Sequence, residues 1–287
     1  MCRFGGKTSA AGAPMNNQSQ GATVERKTLR LAVLGDTHYT KTSQGMLQTI
    51  FAQISEGADI LALCGDLTEN GSPEEARLFA KELSAVGKLP VVAVLGNHDY
   101  ESGKPEVVKE ILGKAGVHVL DGDACEIQGV GFAGVKGFAG GFGRHVLAPW
   151  GEDQVKSFVH ESLAETLKLE SALARLRTDT RYVLLHYAPI SDTVQGEPLE
   201  IFPFLGCSRL EEPLNRFPVN AIFHGHAHHG YPEGRTKSGV PVYNVAYSLL
   251  ARSFPERPPF HLEQIAIPLS VGQDNRLRTG EGPVSSP

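Results

Sequence analysis

The chain has no long hydrophobic run, few cysteines and no excess of basic residues. No apolar run reaches the roughly 18 residues that a membrane-spanning helix needs, so no membrane partner is expected. The sequence has 27 Lys and Arg against 32 Asp and Glu, and the resulting net charge of −5 argues against a general affinity for nucleic acid or acidic membranes. Four cysteines without paired spacing favour free thiols in a reducing compartment over a disulfide framework: Cys2, Cys64, Cys125 and Cys207.

The two ends differ in composition from the rest of the chain. Residues 1–28 are rich in Gly, Ala, Ser, Asn and Gln and lack the apolar segment of a secretory signal, so we interpret them as the disordered leader of a cytoplasmic protein. Their basic residues, Arg3, Lys7 and Arg26, leave a targeting role open. Residues 272–287 are predicted to be a C-terminal tail, which leaves residues 29–271 as one folded domain.

Short apolar runs alternate with stretches of helical spacing. Six runs rich in Val, Leu and Ile are predicted to be strands buried on both faces, at residues 29–34, 59–64, 90–95, 181–185, 220–223 and 240–245. Apolar residues at helical spacing predict helices near residues 47–54, 76–83 and 107–112, and a charged stretch at 152–177 predicts a fourth. This alternation is typical of an α/β fold with a largely central sheet.

A glycine-rich stretch lies between the third and fourth of these helices. Residues 129–143 hold seven glycines, at positions 129, 131, 134, 137, 140, 141 and 143. No Gly-Lys-Ser/Thr follows, so the stretch is not a phosphate-binding P-loop. We interpret it as a strand pair with tight turns, and a mobile flap at the mouth of a site is the alternative.

Five polar clusters each come directly after an apolar run. They are Asp36-Thr37-His38, Gly65-Asp66, Gly96-Asn97-His98-Asp99, His186 and Gly225-His226-Ala227-His228. In an open α/β sheet, ligands bind beyond the carboxyl ends of the strands, so these clusters are expected to meet in one cleft. Together they supply seven candidate metal ligands, which is too many for one ion and suits two: Asp36, His38, Asp66, Asn97, His186, His226 and His228.

The donor types narrow the choice of metal. Imidazole, carboxylate and amide oxygen without thiolate suit Mn or Fe, with Zn, Co and Ni as alternatives, whereas Ca or Mg would call for nearly all oxygen. Two such ions about 3.5–4 Å apart can bridge a water and lower its pKa toward neutrality, which makes a hydroxide nucleophile. Asp66 is the natural bridging carboxylate because its cluster offers no other strong ligand.

The five clusters, in this order, resemble those of the calcineurin-like metallophosphoesterases. The resemblance extends over residues 29–246, and its Gly-Asn-His-Asp form is similar to the bacterial phosphodiesterase branch. It implies a four-layer αββα sandwich and a hydrolase of phosphate esters. It also implies one metal held by Asp36, His38 and His228, a second held by Asn97, His186 and His226, and Asp66 between them.

The same resemblance implies that His98 contacts the phosphate and protonates the leaving oxygen, with Asp99 orienting it. A turn-capping role for Asp99 is the alternative. The other histidines are interpreted as core or surface residues, His224 and His229 as supporting or surface residues beside the last cluster, and His145 is left open. The apolar residues 201–205 are either a pocket wall or part of the core.

These inferences predict a phosphoesterase that prefers small phosphodiesters, including cyclic nucleotides. Within enzymes, a phosphomonoesterase or protein phosphatase is the alternative, followed by a nuclease, against which the negative charge argues. A non-catalytic scaffold is a remote alternative because no expected ligand is missing. The sequence does not indicate an oligomeric state.

Overall fold

The computed structural model describes residues 26–268, and Thr28–Ile267 form a compact unit. The predicted leader, residues 1–28, lies outside the described residues except for its last three, and the predicted tail, residues 272–287, lies wholly outside them. Among the described residues, no helix is both long and apolar enough to cross a membrane.

All six predicted strands and all four predicted helices are present. The strands are β1 Arg26–Leu34, β2 Ile60–Cys64, β3 Val91–Val94, β4 Val117–Val119, β5 Asp123–Ile127, β6 Val130–Gly134, β7 Thr180–Leu184, β8 Ala221–His224, β9 Glu233–Arg235, β10 Pro241–Asn244 and β11 His261–Pro268. The helices are α1 Gln48–Gly57, α2 Pro73–Leu83, α3 Pro105–Lys114, α4 Asp153–Arg175, α5 Phe202–Leu205, α6 Glu211–Leu214 and α7 Tyr247–Ser253. Sequence patterns missed β4, β5, β9, β11, α5, α6 and α7, and they indicated β6 only as part of a strand pair within residues 129–143.

The strands form two sheets. The first has the order β11-β1-β2-β3-β4, and the second has the order β5-β6-β7-β8-β10-β9. Strands β1 to β4 are parallel, as are β6, β7, β8 and β10, while β5 and β9 are antiparallel edge strands of the second sheet. Parallel neighbours place their carboxyl ends at one edge of each sheet.

Alternate residues of each strand face different layers. Leu31 and Val33 of β1 lie in a core shared with Phe223 of the second sheet, whereas Ala32 and Leu34 pack with residues of α1 and α2 on the other face. The outer face of the second sheet packs against α4 in the same way. The resulting order is helices, sheet, sheet, helices, so the predicted four-layer αββα sandwich is confirmed.

The two sheets meet at their carboxyl edges. Gly35, directly after β1, forms a parallel bridge with Ala246, which follows β10. The Gly35 amide donates to the Val245 carbonyl at 2.9 Å, and the Tyr247 amide donates back to the Gly35 carbonyl at 2.9 Å. Side chains that follow strands of either sheet therefore lie close to one another at this edge.

The glycine-rich stretch begins as a strand pair and continues as a buried segment. Strands β5 and β6 are joined by a tight turn in which Gln128 and Gly129 both have positive φ, as a two-residue hairpin turn of this kind requires. Beyond β6, Gly140 and Gly141 are buried and donate to the carbonyls of Pro203 and Gly206 at 2.8 and 2.9 Å. The strand-pair interpretation is correct only in part, because residues 129–143 supply one strand, β6, and its partner β5 precedes them. The segment that follows β6 is hydrogen-bonded to α5 and to Gly206.

Glu82, at the end of α2, is a buried carboxylate that holds the loop after β1. It accepts hydrogen bonds from the Tyr39 hydroxyl at 2.8 Å, the Gly45 amide at 3.0 Å and the Leu47 amide at 2.9 Å. Burial by itself would raise the pKa of Glu82, but these hydrogen bonds outweigh it and the pKa lies below its ordinary value.

Replacing Glu82 by alanine is expected to lower the free energy of unfolding by about 2–4 kcal/mol, because buried donors lose their acceptor. Since folding lowers the pKa of this carboxylate, its stabilisation is present above its ordinary pKa near 4.3 and is lost as the pH falls. Urea titrations at pH 7 and below pH 4 should therefore show a smaller difference between Glu82→Ala and wild type in acid. Glu256→Ala, at an exposed site, serves as the control, and equal losses for both variants would contradict the prediction.

Candidate metal centre

All seven predicted metal ligands lie at the shared carboxyl edge of the two sheets. Residues that follow β1, β2 and β3 come from the first sheet, and those that follow β7 and β8 come from the second. Three of the seven are buried and the rest are partly buried. The first sheet supplies Asp36, His38, Asp66 and Asn97, and the second supplies His186, His226 and His228.

One group of donors consists of Asp36, His38 and His228. The Nε2 atom of His228 lies 3.0 Å from Oδ1 of Asp36 and 3.3 Å from Nε2 of His38. The donor atoms of the three side chains all lie within 4.8 Å of one another. Residues separated by 190 positions in the sequence thus point at one small volume.

The second group surrounds His186. Its Nε2 lies 2.8 Å from Oδ1 of Asn97 and 3.4 Å from Oδ2 of Asp66. Asp66, His186 and His226 also place one donor atom each within 4.8 Å of the others. The same Oδ2 of Asp66 lies 3.8 Å from Nε2 of His38, so Asp66 stands between the two groups.

These separations fit metal coordination. Two donors at about 2.1 Å from a shared ion and at right angles to each other are about 3.0 Å apart, and tetrahedral donors are slightly farther apart. The donor pairs within and between the two groups lie 2.8 to 3.8 Å apart, close to these values. Two imidazole nitrogens that face each other at 3.3 Å, as in His38 and His228, are explained well by a cation between them.

Without an ion, protons supply part of the positive charge. Burial would lower the pKa of His186, but the Asp66 carboxylate raises the pKa to about 9, and His186 in turn holds the pKa of Asp66 well below its usual range against the effect of burial. A hydrogen bond to Asp36 raises the pKa of His228, whereas burial lowers the pKa of His226 to about 4. The proton of His186 must leave before its Nε2 can bind a metal, so metal uptake is coupled to proton release.

The backbone of this site is strained. Five described non-glycine residues have positive φ, and four of them are predicted ligands: Asp36, His38, Asp66 and His226. Left-handed backbone is uncommon for such residues and concentrates at functional sites. A Cβ atom on Gly96 would collide with the Asp66 carboxylate, and one on Gly225 would collide with that of Asp36, so these positions require glycine.

Further contacts fix the orientation of the donors. Both carboxylate oxygens of Asp36 accept from the His226 amide, at 2.8 and 3.1 Å. The Nδ1 atom of His186 donates to the Cys64 carbonyl at 3.0 Å, so its Nε2 faces the other donors. The Nδ1 atom of His38 lies 2.8 Å from the Glu69 carboxylate. Such contacts on the far ring nitrogen are characteristic of metal-binding histidines.

The structure gives Asp99 a different role from the predicted one. Its buried carboxylate accepts from the Thr68 hydroxyl at 2.7 Å and from the amides of Leu67, Thr68 and Gly96 at 2.9–3.2 Å. The Nδ1 atom of His98 instead donates to the Glu69 carbonyl, at 2.7 Å. Asp99 therefore holds the loops after β2 and β3 together and does not touch the ring that it was predicted to orient.

Several residues of the site escaped sequence reasoning. Glu69 contacts His38 through its carboxylate and His98 through its carbonyl, and the Tyr187 ring lies 4.5 Å from that of His226. Lys136 is buried among aromatic rings, and its carbonyl accepts from the His186 and Tyr187 amides. None of these residues stands in a recognisable local pattern, because their contacts are made between distant segments.

The remaining histidines lie outside the donor groups. His224 is buried, donates through Nδ1 to the Gly225 carbonyl and accepts from the Thr193 hydroxyl at 2.7 Å, and burial lowers its pKa to about 4. His229 is exposed, and its amide donates to Glu197 at 2.7 Å. His118, His145 and His160 are exposed, and His261 packs on the Tyr243 ring.

A cleft of about 270 Å³ opens over the donors. Its lining includes the predicted metal and catalytic residues Asp66, His98, His226 and His228. The remaining lining residues are Glu197, Ile201, Leu205 and His229. A phosphate ester placed in this cleft would contact the candidate metal donors and His98 together.

Comparisons with known proteins show what the chain is similar to. The sequence model for calcineurin-like phosphoesterases matches residues 29–230. A 101-residue segment is 33% identical to a protein of Synechococcus sp. named as a probable cyclic nucleotide phosphodiesterase, and it spans 31% of this chain and 36% of that protein. Phosphopantetheinyl hydrolase from Mycobacterium tuberculosis has a similar structure, with a TM-score of 0.57 and 14% identity over 81% of this chain and 95% of that chain. At this identity the structural likeness shows a common fold alone.

Proposed function

The chain belongs to the calcineurin-like phosphoesterase family, and from this premise we propose that it hydrolyses phosphate esters and that its substrates are small phosphodiesters, cleaved with the help of a pair of metal ions. Water adds to phosphorus, one P–O ester bond breaks, and the products are an alcohol and a phosphomonoester. The observation that supports the proposal best is the convergence of seven donor side chains from both sheets, with neighbouring donor atoms 2.8–3.8 Å apart.

The two donor groups define two metal positions in this proposal. Asp36, His38 and His228 would hold one ion, Asn97, His186 and His226 would hold the other, and Asp66 would be shared between them. The mixed set of imidazole, carboxylate and amide donors favours Mn or Fe over Ca or Mg, and Zn, Co and Ni also suit it. Metal ions there would supply Lewis acidity and a water of low pKa.

His98 is the proposed general acid. Its Nδ1–H donates to the Glu69 carbonyl, so Nε2 is the ring nitrogen that can contact a substrate. The side chain is about one-third exposed, at 36%, and lines the cleft, and both observations support a role beside a bound ester. In the protonated ring, Nε2–H donates its proton to the leaving oxygen.

The charge of the cleft supports a preference for diesters. Within the described part of the chain, the residues that line the cleft include no lysine and no arginine, and they include the carboxylate of Glu197. A phosphomonoester carries a second negative charge near neutral pH, and sites for such dianions usually offer arginine or lysine donors. A diester carries one charge and does not need them.

We expect bis(p-nitrophenyl) phosphate to be hydrolysed with a kcat/KM at least about tenfold above that for p-nitrophenyl phosphate, because like charges placed together are costly. The assay uses full-length protein loaded with Mn²⁺ and follows release of p-nitrophenolate. EDTA should abolish turnover, and added Mn²⁺ should restore it. Faster turnover of the monoester would overturn the diester preference, and cleavage of a DNA strand at a comparable rate would favour a nuclease.

We also propose that residues 29–271 form the catalytic domain and that the protein works in a reducing compartment such as the cytoplasm. The family match begins at residue 29. The described cysteines, Cys64, Cys125 and Cys207, are free thiols, which suits that compartment.

A further inference from the structure

Lys136 is a buried cation beside the candidate metal centre. It follows β6 in the second sheet, and only 9% of the residue is exposed. Its Nζ atom donates to the Gly137 carbonyl at 2.8 Å and makes no ion pair with a carboxylate among the described residues. The Glu165 carboxylate accepts from the adjacent Gly137 amide at 2.8 Å but pairs with Lys168, also at 2.8 Å. The Lys136 ammonium is therefore held by other groups.

Three aromatic rings contact the Lys136 ammonium. Its Nζ atom lies 5.4 Å from the centre of the Tyr100 ring, 4.9 Å from that of Phe138 and 5.3 Å from that of Tyr187. At such distances a cation is attracted to the face of an aromatic ring. The three aromatic residues are called the aromatic cage below. They come from the loops after β3, β6 and β7, so one charge joins three loops at the edge where the metal donors lie.

The aromatic cage contacts the residues that surround His186. The Tyr187 ring lies 5.5 Å from the ring of His186 and 4.5 Å from the ring of His226. The Tyr100 amide donates to the Asn97 carbonyl at 3.1 Å. All three residues proposed to hold the second ion, Asn97, His186 and His226, are therefore in contact with a cage residue.

The donors proposed for the first ion have different neighbours. The His38 ring lies 4.7 Å from the ring of His98 and 5.0 Å from the ring of His228. The Nδ1 atom of His38 lies 2.8 Å from the Glu69 carboxylate. In the part of the chain that the structure describes, neither His38 nor His228 is in ring contact with the aromatic cage. The cage thus supports one proposed metal position and not the other.

Stability alone does not explain a lysine at position 136. Removing an ammonium from water is costly, and burial accordingly lowers the pKa of Lys136. Replacing a buried charge by an apolar side chain of similar size often leaves stability unchanged or raises it. A methionine would fill the same space without a fixed attraction to the three rings. The arrangement that the charge imposes on the rings is the better explanation.

We propose that Lys136 is a positioning residue for the second metal ion and acts by holding the aromatic cage against the three donors. The proposal rests on the two-ion function proposed above. Lys136 contacts neither the ion nor the substrate in this proposal. Residues that support metal ligands typically contribute about 10- to 100-fold to metal affinity, so loss of the charge should weaken binding at that position.

The test replaces the charge by an apolar side chain of similar length. Full-length protein loaded with Mn²⁺ is dialysed against a series of EDTA concentrations, and elemental analysis counts the ions that each chain retains. Lys136→Met should bind one of the two ions about tenfold or more weakly than wild type and the other ion equally tightly. Its Tm, measured in EDTA to remove the effect of bound metal, should equal or exceed that of wild type. Lys114→Met, whose lysine is 74% exposed on α3, is the matched control and should bind both ions as wild type does.

Two further backgrounds identify the weakened ion. His228→Ala impairs the first position, and Asn97→Ala impairs the second. Adding Lys136→Met should weaken the ion that remains in His228→Ala and should not affect the ion that remains in Asn97→Ala. Equal weakening in both backgrounds, or a lower Tm without selective loss of metal, would overturn the proposal.

A second pair of variants covers the case in which Lys136→Met does not fold. Tyr187→Leu removes the ring that lies between Lys136 and His226, and Tyr187→Phe keeps it. A selective loss of the second ion that is larger in Tyr187→Leu than in Tyr187→Phe would support the proposal. Equal metal binding by the two variants would overturn it.

Failure of the two-ion function can be recognised separately. If wild type binds one Mn²⁺ ion or none, that function fails, and NMR of protein with nitrogen-labelled histidine decides the role of Lys136. Lys136→Met should then shift or broaden the ring signals of His186 and His226 and leave those of His38 and His228 unchanged. Changes in all four rings, or in none, would overturn the positioning role.

Discussion

Asp66→Ala is expected to lose both metal ions together and to abolish phosphodiester turnover. Asp66 is the side chain that contacts both donor groups, through His38 at 3.8 Å and His186 at 3.4 Å. Loss of a residue that only supports a metal ligand typically lowers metal affinity 10- to 100-fold, so loss of the proposed bridging ligand should cost at least about 100-fold at each position. Elemental analysis after dialysis, together with turnover of bis(p-nitrophenyl) phosphate, measures both effects.

The matched control is Asp153→Ala, which removes a carboxylate whose side chain is 93% exposed at the start of α4. It should retain wild-type metal content and turnover. Circular dichroism would show that Asp66→Ala keeps its fold. Retention of one tightly bound ion per chain in Asp66→Ala would contradict the bridging role.

His98→Ala is expected to lower turnover about 10²- to 10⁴-fold while metal content stays at the wild-type value. The expectation follows from the free Nε2 of His98 at the cleft and from its absence from the two proposed ligand sets. The measurement pairs steady-state kinetics with elemental analysis. Turnover of an ester with a good leaving group, such as a p-nitrophenyl ester, should fall less than turnover of an alkyl ester. The leaving oxygen of the p-nitrophenyl ester needs less protonation.

His118→Ala provides the control, because His118 is an exposed histidine on β4 that belongs to none of the donor clusters. The His98 ring also lies within 4.8 Å of donor atoms of His38 and Asp66. Loss of metal from His98→Ala would therefore reassign His98 as a ligand, and unchanged turnover would remove its acid role.

The central strands were predictable because each is covered on both faces. A strand such as β2 contains only apolar residues that are all buried, and such a run is visible in the sequence without any partner. Strand β6 is equally buried, but two of its five residues are glycine, so its run is broken. The edge strands β5 and β9 are partly exposed and polar, and their pairing depends on neighbours that the sequence does not reveal.

The donor residues were predictable for a similar reason. Each follows a buried parallel strand, so its place at the carboxyl edge follows from the strand prediction alone. The role of Asp99 was predicted wrongly because adjacency to His98 was taken for contact. In the short helical turn His98–Tyr100 the two side chains diverge, and Asp99 turns toward the amides of Leu67 and Thr68. Glu69 was missed because its contacts, with His38 and His98, join segments that are distant in the sequence.

The meeting of the two sheets at Gly35 and Ala246 has a consequence for assembly. Each proposed metal position takes donors from both sheets, so neither half of the sandwich holds a complete set by itself. Each ion would then cross-link the two sheets, and the protein could bind the ions only after the sheets had packed together. Maturation of the enzyme would follow folding, and a substitution deep between the sheets, far from any donor, would weaken its hold on metal.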